Sequence, residues 1–178
     1  QLKLGMVLVT NGTTAPVGAA NTTIYADNAG SPTEWNCTDV GTGFVCNSTT
    51  NPKPPSTTDI EGTNVPNGDY AQLQIGTGTI NLSNFDMLVL SIRSKATWAN
   101  NRGLQVGWFS TGVLKGQNVA INRTGTWGFT STNTTDYQVI AIPIANFNVP
   151  LGTTVNQLRI AGFGGAIGMY IDDIFLQN

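Results

Sequence analysis

From Tyr70 onward, apolar residues recur at every second position, and nowhere does an i, i+3, i+4 apolar stripe last the length a helix requires. Gly occurs 21 times and breaks most windows in which a helix could run. Strand-like runs at residues 70–75, 79–82, 87–93, 104–109, 113–121, 137–144, 155–161 and 168–176 follow one another across Gly, Asn and Thr turns. This spacing predicts an all-β chain folded as an antiparallel sandwich or barrel.

Before Tyr70 the chain is loop-heavy and holds six of its eight prolines. Residues 2–10, 23–27 and 44–46 read as strands. Residues 49–58, with Pro52, Pro54 and Pro55, read as an extended connection because proline fixes φ and donates no hydrogen bond. No internal repeat or second domain is visible. The expectation is one domain over 1–178, with 1–22 as an N-terminal strand or linker extension.

Charged residues are only 10% of the 178, and the net charge is −2 with the eight Lys and Arg scattered. Neither is the footprint of a nucleic-acid binder. No window approaches the ~18 apolar residues of a membrane span, so membrane insertion is not expected. The run at 2–9 is too short for a signal h-region, and an N-terminal Gln fits a processed protein or a piece of a longer one. Cys37 and Cys46 lie in a turn-rich segment. Paired, they would close a loop worth roughly 2.5–3 kcal/mol in the chain-entropy account; the alternative is two free buried thiols. Their Thr/Gly/Asn-rich surroundings favour the disulfide and an extracellular setting. Seven Asn-X-Ser/Thr sequons point the same way: Asn11, Asn21, Asn36, Asn47, Asn81, Asn122 and Asn133.

The last strand places Asp172 and Asp173 inside an apolar run. A buried carboxylate is costly unless a cation or hydrogen-bond donors compensate it. A structural metal, a tie to a neighbouring loop, or a turn starting within the strand would each meet that requirement. Catalysis is not expected. The chain has no histidine, so Ser-His and Cys-His pairs are absent, and there is no Gly-X-Ser-X-Gly elbow. Glu34, Asp39, Asp59, Glu61, Asp69, Asp86 and Asp136 read as turn residues or strand starts rather than a glycosidase pair.

The run Tyr137-Gln138-Val139-Ile140-Ala141-Ile142-Pro143-Ile144, then Leu158-Arg159-Ile160 and Tyr170-Ile171-Asp172-Asp173-Ile174, resembles the closing strands of galactose-binding-like jelly-roll carbohydrate-binding modules. Ile24-Tyr25-Ala26-Asp27-Asn28, followed by Trp35, resembles their first strand. Such modules also occur as appended domains in viral and phage tail fibres and other surface proteins. The resemblance implies a jelly-roll β-sandwich and a structural Ca2+ tying the first strand to the last, with Asp27 and Asp173 as carboxylate ligands and loop carbonyls completing the shell. Asp172 would face the other way.

A sugar platform needs an aromatic ring beside hydrogen-bonding side chains. Trp108, on one face with Leu104 and Val106, reads as core. Trp98 sits beside Asn100, Asn101 and Arg102, near Gln105, and Trp127 sits in a Gly-flanked turn. These six are the candidate ligand-binding residues, although either Trp could instead plug an end of the sandwich. The functional expectation is a non-catalytic glycan-recognition module on an extracellular, cell-surface or virion protein. The alternative is an assembly domain of a fibre, filament or virion, contacting neighbouring subunits.

Overall fold

A computed structural model of the chain describes residues 22–26 and 35–178. Its strands are β1 (Thr22–Tyr25), β2 (Trp35–Val40), β3 (Phe44–Ser48), β4 (Asp59–Val65), β5 (Tyr70–Ile75), β6 (Ile80–Asn81), β7 (Met87–Ser94), β8 (Gly103–Ser110), β9 (Val113–Asn122), β10 (Gln138–Pro143), β11 (Thr154–Val155), β12 (Gln157–Phe163) and β13 (Ile167–Gln177). All pairings between them are antiparallel. One six-stranded sheet runs β10-β7-β13-β4-β3, with β1 also on β13, and a five-stranded sheet runs β2-β5-β12-β8-β9. The predicted all-β antiparallel sandwich of jelly-roll type is the observed fold.

The two sheets read differently along their strands, and the difference decides which outer face is open. In β5, Ala71, Leu73 and Ile75 are buried while Tyr70, Gln72 and Gln74 are half-buried. β12 shows the same alternation: Leu158 and Ile160 point inward, while Arg159, Ala161 and Phe163 are half-buried on the other side. Alternation of this kind marks a sheet with one face on the core and one toward solvent. In β7, by contrast, Leu88 to Ile92 are all buried, so the six-stranded sheet is covered on both sides at β7, while its edge strands β10 and β3 leave Val139 and Val45 exposed. Its outer cover is the proline-rich segment 49–58.

Between the sheets, Leu73, Leu90, Ile92, Leu104, Trp108 and Ile160 form part of one continuous core. Trp108 meets Phe147 edge-on with ring centroids 6.1 Å apart. Cys37 and Cys46 form a disulfide with Cα atoms 5.8 Å apart. It joins β2 to β3, the edge strands of opposite sheets, and so clamps one open side of the sandwich. Strands β2 and β4 were not expected from sequence. The predicted run at 155–161 divides into β11 and β12, and that at 79–82 reduces to β6 followed by a 3-10 turn. The expected strand at 2–10 lies outside the described residues.

Asp173 explains the Asp pair. Its φ of 46° is left-handed, a conformation that Asp tolerates better than most residues, and the β13–β7 register shifts between Asp172 and Phe175. This bulge moves the inward phase by one residue. Met169 and Ile171 point inward before it, and Ile174 and Leu176 after it; all four are fully buried.

Candidate functional site

The covered face shows what a closed polar surface looks like in this fold. Asp172 is fully buried and accepts from Lys53 N at 3.0 Å, Ser56 Oγ at 3.3 Å and Asp173 N at 2.7 Å. Lys53 Nζ pairs with Asp173 and donates to Ser91 Oγ at 3.2 Å. Asn51 holds two tyrosines: its carbonyl accepts from Tyr137 Oη at 2.8 Å, and its Nδ2 donates to Tyr170 Oη at 3.0 Å. Arg93 lies between those two rings, 5.2 and 4.7 Å from their centroids.

Burial pushes the Asp172 carboxyl above its ordinary range, against the backbone donors that favour its charged form. Asp59, also fully buried, rises from 3.8 to about 6 through burial, reinforced by Glu61 and Asp172 and opposed by Tyr137 and Arg93. Burial raises Glu61 too, but Lys95, Ser48 and Thr50 outweigh it and bring the group down to about 2. Tyr137 is pushed up by burial and by the neighbouring carboxylates.

Asp27 and Asp173 are the expected calcium ligands. Asp27 lies outside the described residues. Asp173 already has the Lys53 ammonium as its counter-charge, and no three His, Cys, Asp or Glu residues gather into a metal site among the described residues. The described residues do not assemble a cation shell around Asp173.

The five-stranded sheet carries a comparable polar set, and no segment among the described residues lies over it. Arg159 in β12 lies across from Gly107 in β8 and Gln72 in β5. Its guanidinium sits 4.8 Å from the Tyr70 ring centroid and 4.1 Å from that of Phe109. Nε donates to Gln72 Oε1 at 2.9 Å and an NH2 donates to Gln157 Oε1 at 3.2 Å. Gln157 and Gln72 each donate in turn to Gln74 Oε1 at 3.1 Å. The result is a half-exposed surface of two rings, one fixed cation and the amides of Gln72 and Gln74, with Gln157 buried beneath it. Gly107 permits it, because a Cβ there would come within 2.1 Å of Asn118 Oδ1 reaching over from β9.

Two depressions flank this surface along edge strand β9. One, of about 350 Å³, is lined by Gln117, Asn118, Ala120, Trp127, Asn146 and Asn148 among others. The second, of about 540 Å³, is lined by Asn100, Asn101, Arg102, Asn122, Arg123, Thr124 and Phe163. Gln105 lines neither of them and lies opposite Ala120 on one side and Ala161 on the other.

The residues expected to form one platform are therefore divided. Trp127 is half-buried, held left-handed at φ 57°, and its Nε1 donates to the Ala120 carbonyl of the edge strand at 3.1 Å. Asn100, Asn101 and Arg102 share the second depression. Trp98 corrects the expectation: it is 3% exposed, packs tilted against Phe129 with ring centroids 4.9 Å apart, and its Nε1 donates to the Gly168 carbonyl at 3.1 Å. Its indole closes an end of the sandwich and offers no ring face to a ligand. Sequence reading missed Tyr70, Gln72, Gln74, Phe109, Gln157 and Arg159. Their signal was present in Tyr-Ala-Gln-Leu-Gln-Ile and Gln-Leu-Arg-Ile-Ala-Gly-Phe, where apolar residues alternate with hydrogen-bonding ones.

No protein-family model matches the sequence, and no curated protein matches it. Solved structures do match in shape. A family 30 carbohydrate-binding module of a cellulosomal cellulase of Clostridium thermocellum aligns with TM-score 0.54 at 13% identity, over 88% of this chain and 96% of that one. A mutant family 29 carbohydrate-binding module complexed with mannohexaose aligns at 0.52 and 10% identity, over 90% and 93%. The K1 cleaved adhesin domain of Lys-gingipain from Porphyromonas gingivalis aligns at 0.51 and 14%, over 89% and 97%. What this chain shares with all three is the antiparallel β-sandwich.

Proposed function

We propose that the protein is a non-catalytic glycan-binding module whose ligand lies across the outer face of the five-stranded sheet. The observation that carries this reading is the half-exposed set of Tyr70, Phe109, Arg159, Gln72 and Gln74, braced by buried Gln157 and covered by no described segment. Rings offer apolar area to a pyranose, and amides and guanidinium meet hydroxyls, with little entropy to lose because the partners are already fixed. Trp127 and the Asn100–Arg102 segment extend the surface at its β9 side. The likeness in fold to carbohydrate-binding modules supports the same reading. The Cys37–Cys46 bond fits an extracellular protein, at a cell or virion surface. No helix among the described residues is long and apolar enough to cross a membrane.

A glycan array on the wild-type chain, beside Tyr70→Ala and Phe109→Ala, tests the proposal. Signal on at least one glycan, lost in both variants while their circular dichroism is unchanged, is the expected result. No signal on any glycan removes the proposal. The competing reading is assembly with neighbouring subunits. It is favoured by Val139, 62% exposed on edge strand β10, since an open apolar edge recruits another strand. Concentration-dependent association in sedimentation, abolished by Val139→Lys, would support it.

A further inference from the structure

Charge is sorted between the two faces. Asp59, Glu61, Asp172 and Asp173 lie on the six-stranded side, where Lys53 pairs with Asp173 and Lys95 with Glu61. Among the described residues those two are the ion pairs, and neither involves Arg102, Arg123 or Arg159. These three arginines stand at or beside the open face of the five-stranded sheet. Read outward along the described residues of β2, β5, β8, β9 and β12, that face carries no Asp or Glu. Asp39 has the opposite phase, opposite buried Ala71. Asp69 turns aside to accept from the backbone N–H groups of Thr42 and Gly43 at 2.8 and 3.1 Å. Among the described residues no carboxylate pairs with these three arginines, in a chain of net charge −2.

Each of the three is held in place by a neutral acceptor, which fixes its direction without cancelling its charge. Arg159 is held by Gln72 and Gln157, and Arg102 donates to the Ala166 carbonyl at 2.7 Å. Arg123 donates to Asn100 Oδ1, and its Nε is buried without a partner. Arg159 lies across from Gly107, while Arg102 immediately precedes Gly103. Gly107 lies five residues beyond Arg102 along the chain, about 17 Å. That is wider than one sugar ring, so a single ligand that meets both ends spans more than one sugar.

Resting on the glycan-binding reading above, we infer that the ligand is an anionic polysaccharide, bearing carboxylate or sulfate groups that these arginines meet. The planar guanidinium fork matches either group with paired hydrogen bonds, which a lysine cannot do. Arg102 and Arg123 take one anion at the depression they line with Phe163. Arg159 takes another between the Tyr70 and Phe109 rings.

Affinity electrophoresis of the whole chain in matched polymers tests this. The pairs are polygalacturonate against its methyl ester, and chondroitin sulfate against desulfated chondroitin, with neutral mannan and polyphosphate alongside. The expected result is that at least one acidic polymer outbinds its neutralised partner by at least about tenfold, or about 1.4 kcal/mol. That preference shrinks at high salt and disappears in Arg102→Gln/Arg123→Gln. The pair that responds identifies carboxylate or sulfate. Arg159→Lys, which keeps the charge and loses the fork, should weaken the acidic polymer with little effect on the fold. Equal retention by ester and acid, or by mannan, overturns the inference while leaving glycan binding in place. Equal retention by polyphosphate overturns it as a charge effect without sugar recognition. No retention by any polymer overturns both readings.

Discussion

Replacing Asp59 with Asn should make the protein more stable at neutral pH. The carboxyl is fully buried, and one of its oxygens, Oδ1, has no hydrogen-bond partner. Oδ2 accepts from Tyr137 Oη at 3.2 Å. The charged groups that bear on it are Glu61 in its own strand, Asp172 in β13 and Arg93 in β7. With the folded value at about 6 against 3.8, the native state holds this proton more tightly than the unfolded chain does. Between about pH 4 and 6 the unfolded chain binds fewer protons, so stability falls as pH rises through that window. The displacement corresponds to about 3 kcal/mol. Asp172, also raised, adds to the decline.

Glu61 works in the opposite sense. Its group is lowered from 4.5 to about 2, so its contribution is complete above 4.5 and is lost as pH falls toward 2. The two slopes meet, and the wild-type curve peaks near pH 4. Asparagine keeps an oxygen for Tyr137 and removes the charge. Urea unfolding of both proteins from about pH 3 to 8 should show the Asp59→Asn variant gaining up to about 3 kcal/mol at pH 7 and almost nothing at pH 3.5. Curves that run parallel across the whole range would refute this account of the buried carboxylates.

Trp98→Ala should cost about 3–5 kcal/mol of stability, as a large buried ring does, and its loss should appear in denaturant melts rather than as selective loss of binding. Trp127→Ala, half-buried and holding one edge carbonyl, should cost about 1 kcal/mol and weaken a bound glycan. Cys37→Ser/Cys46→Ser should lower unfolding free energy by roughly 2.5–3 kcal/mol, measured against the wild type under non-reducing conditions. A chelator should leave the melting temperature unchanged, because Lys53 already neutralises Asp173; a drop of several degrees would bring Asp27 and Asp173 into a shared cation shell.

Much of the fold was legible because its strands obey one rule. Tyr70–Ile75 in β5 carries apolar residues at every inward position, and β7 does so at Leu88, Leu90 and Ile92 before ending on Ser94. Strand β4 escaped because it buries Asp59 beside Ile60 and points Glu61 at Lys95, so polarity and burial disagree along it. In β2 only Trp35 is buried, and the rest is too polar to resemble a strand. The site was half legible. Asn100, Asn101 and Arg102 do share a depression, but sequence cannot tell a tryptophan that lines a surface from one that seals an end. Trp98 seals an end because Phe129 and the Gly168 carbonyl, both distant in sequence, complete its surroundings. The open face went unseen because Gln72, Gln74, Gln157 and Arg159 look like ordinary solvent-facing residues until β5 and β12 pair and bring them side by side.

The most direct test is an amide NMR titration with the oligosaccharide that gives the strongest array signal, read residue by residue. The account predicts shifts concentrated on β5, β8 and β12 around Tyr70, Gln105, Phe109 and Arg159, with segment 49–58 undisturbed. Shifts confined to the six-stranded sheet and its proline-rich cover would contradict it.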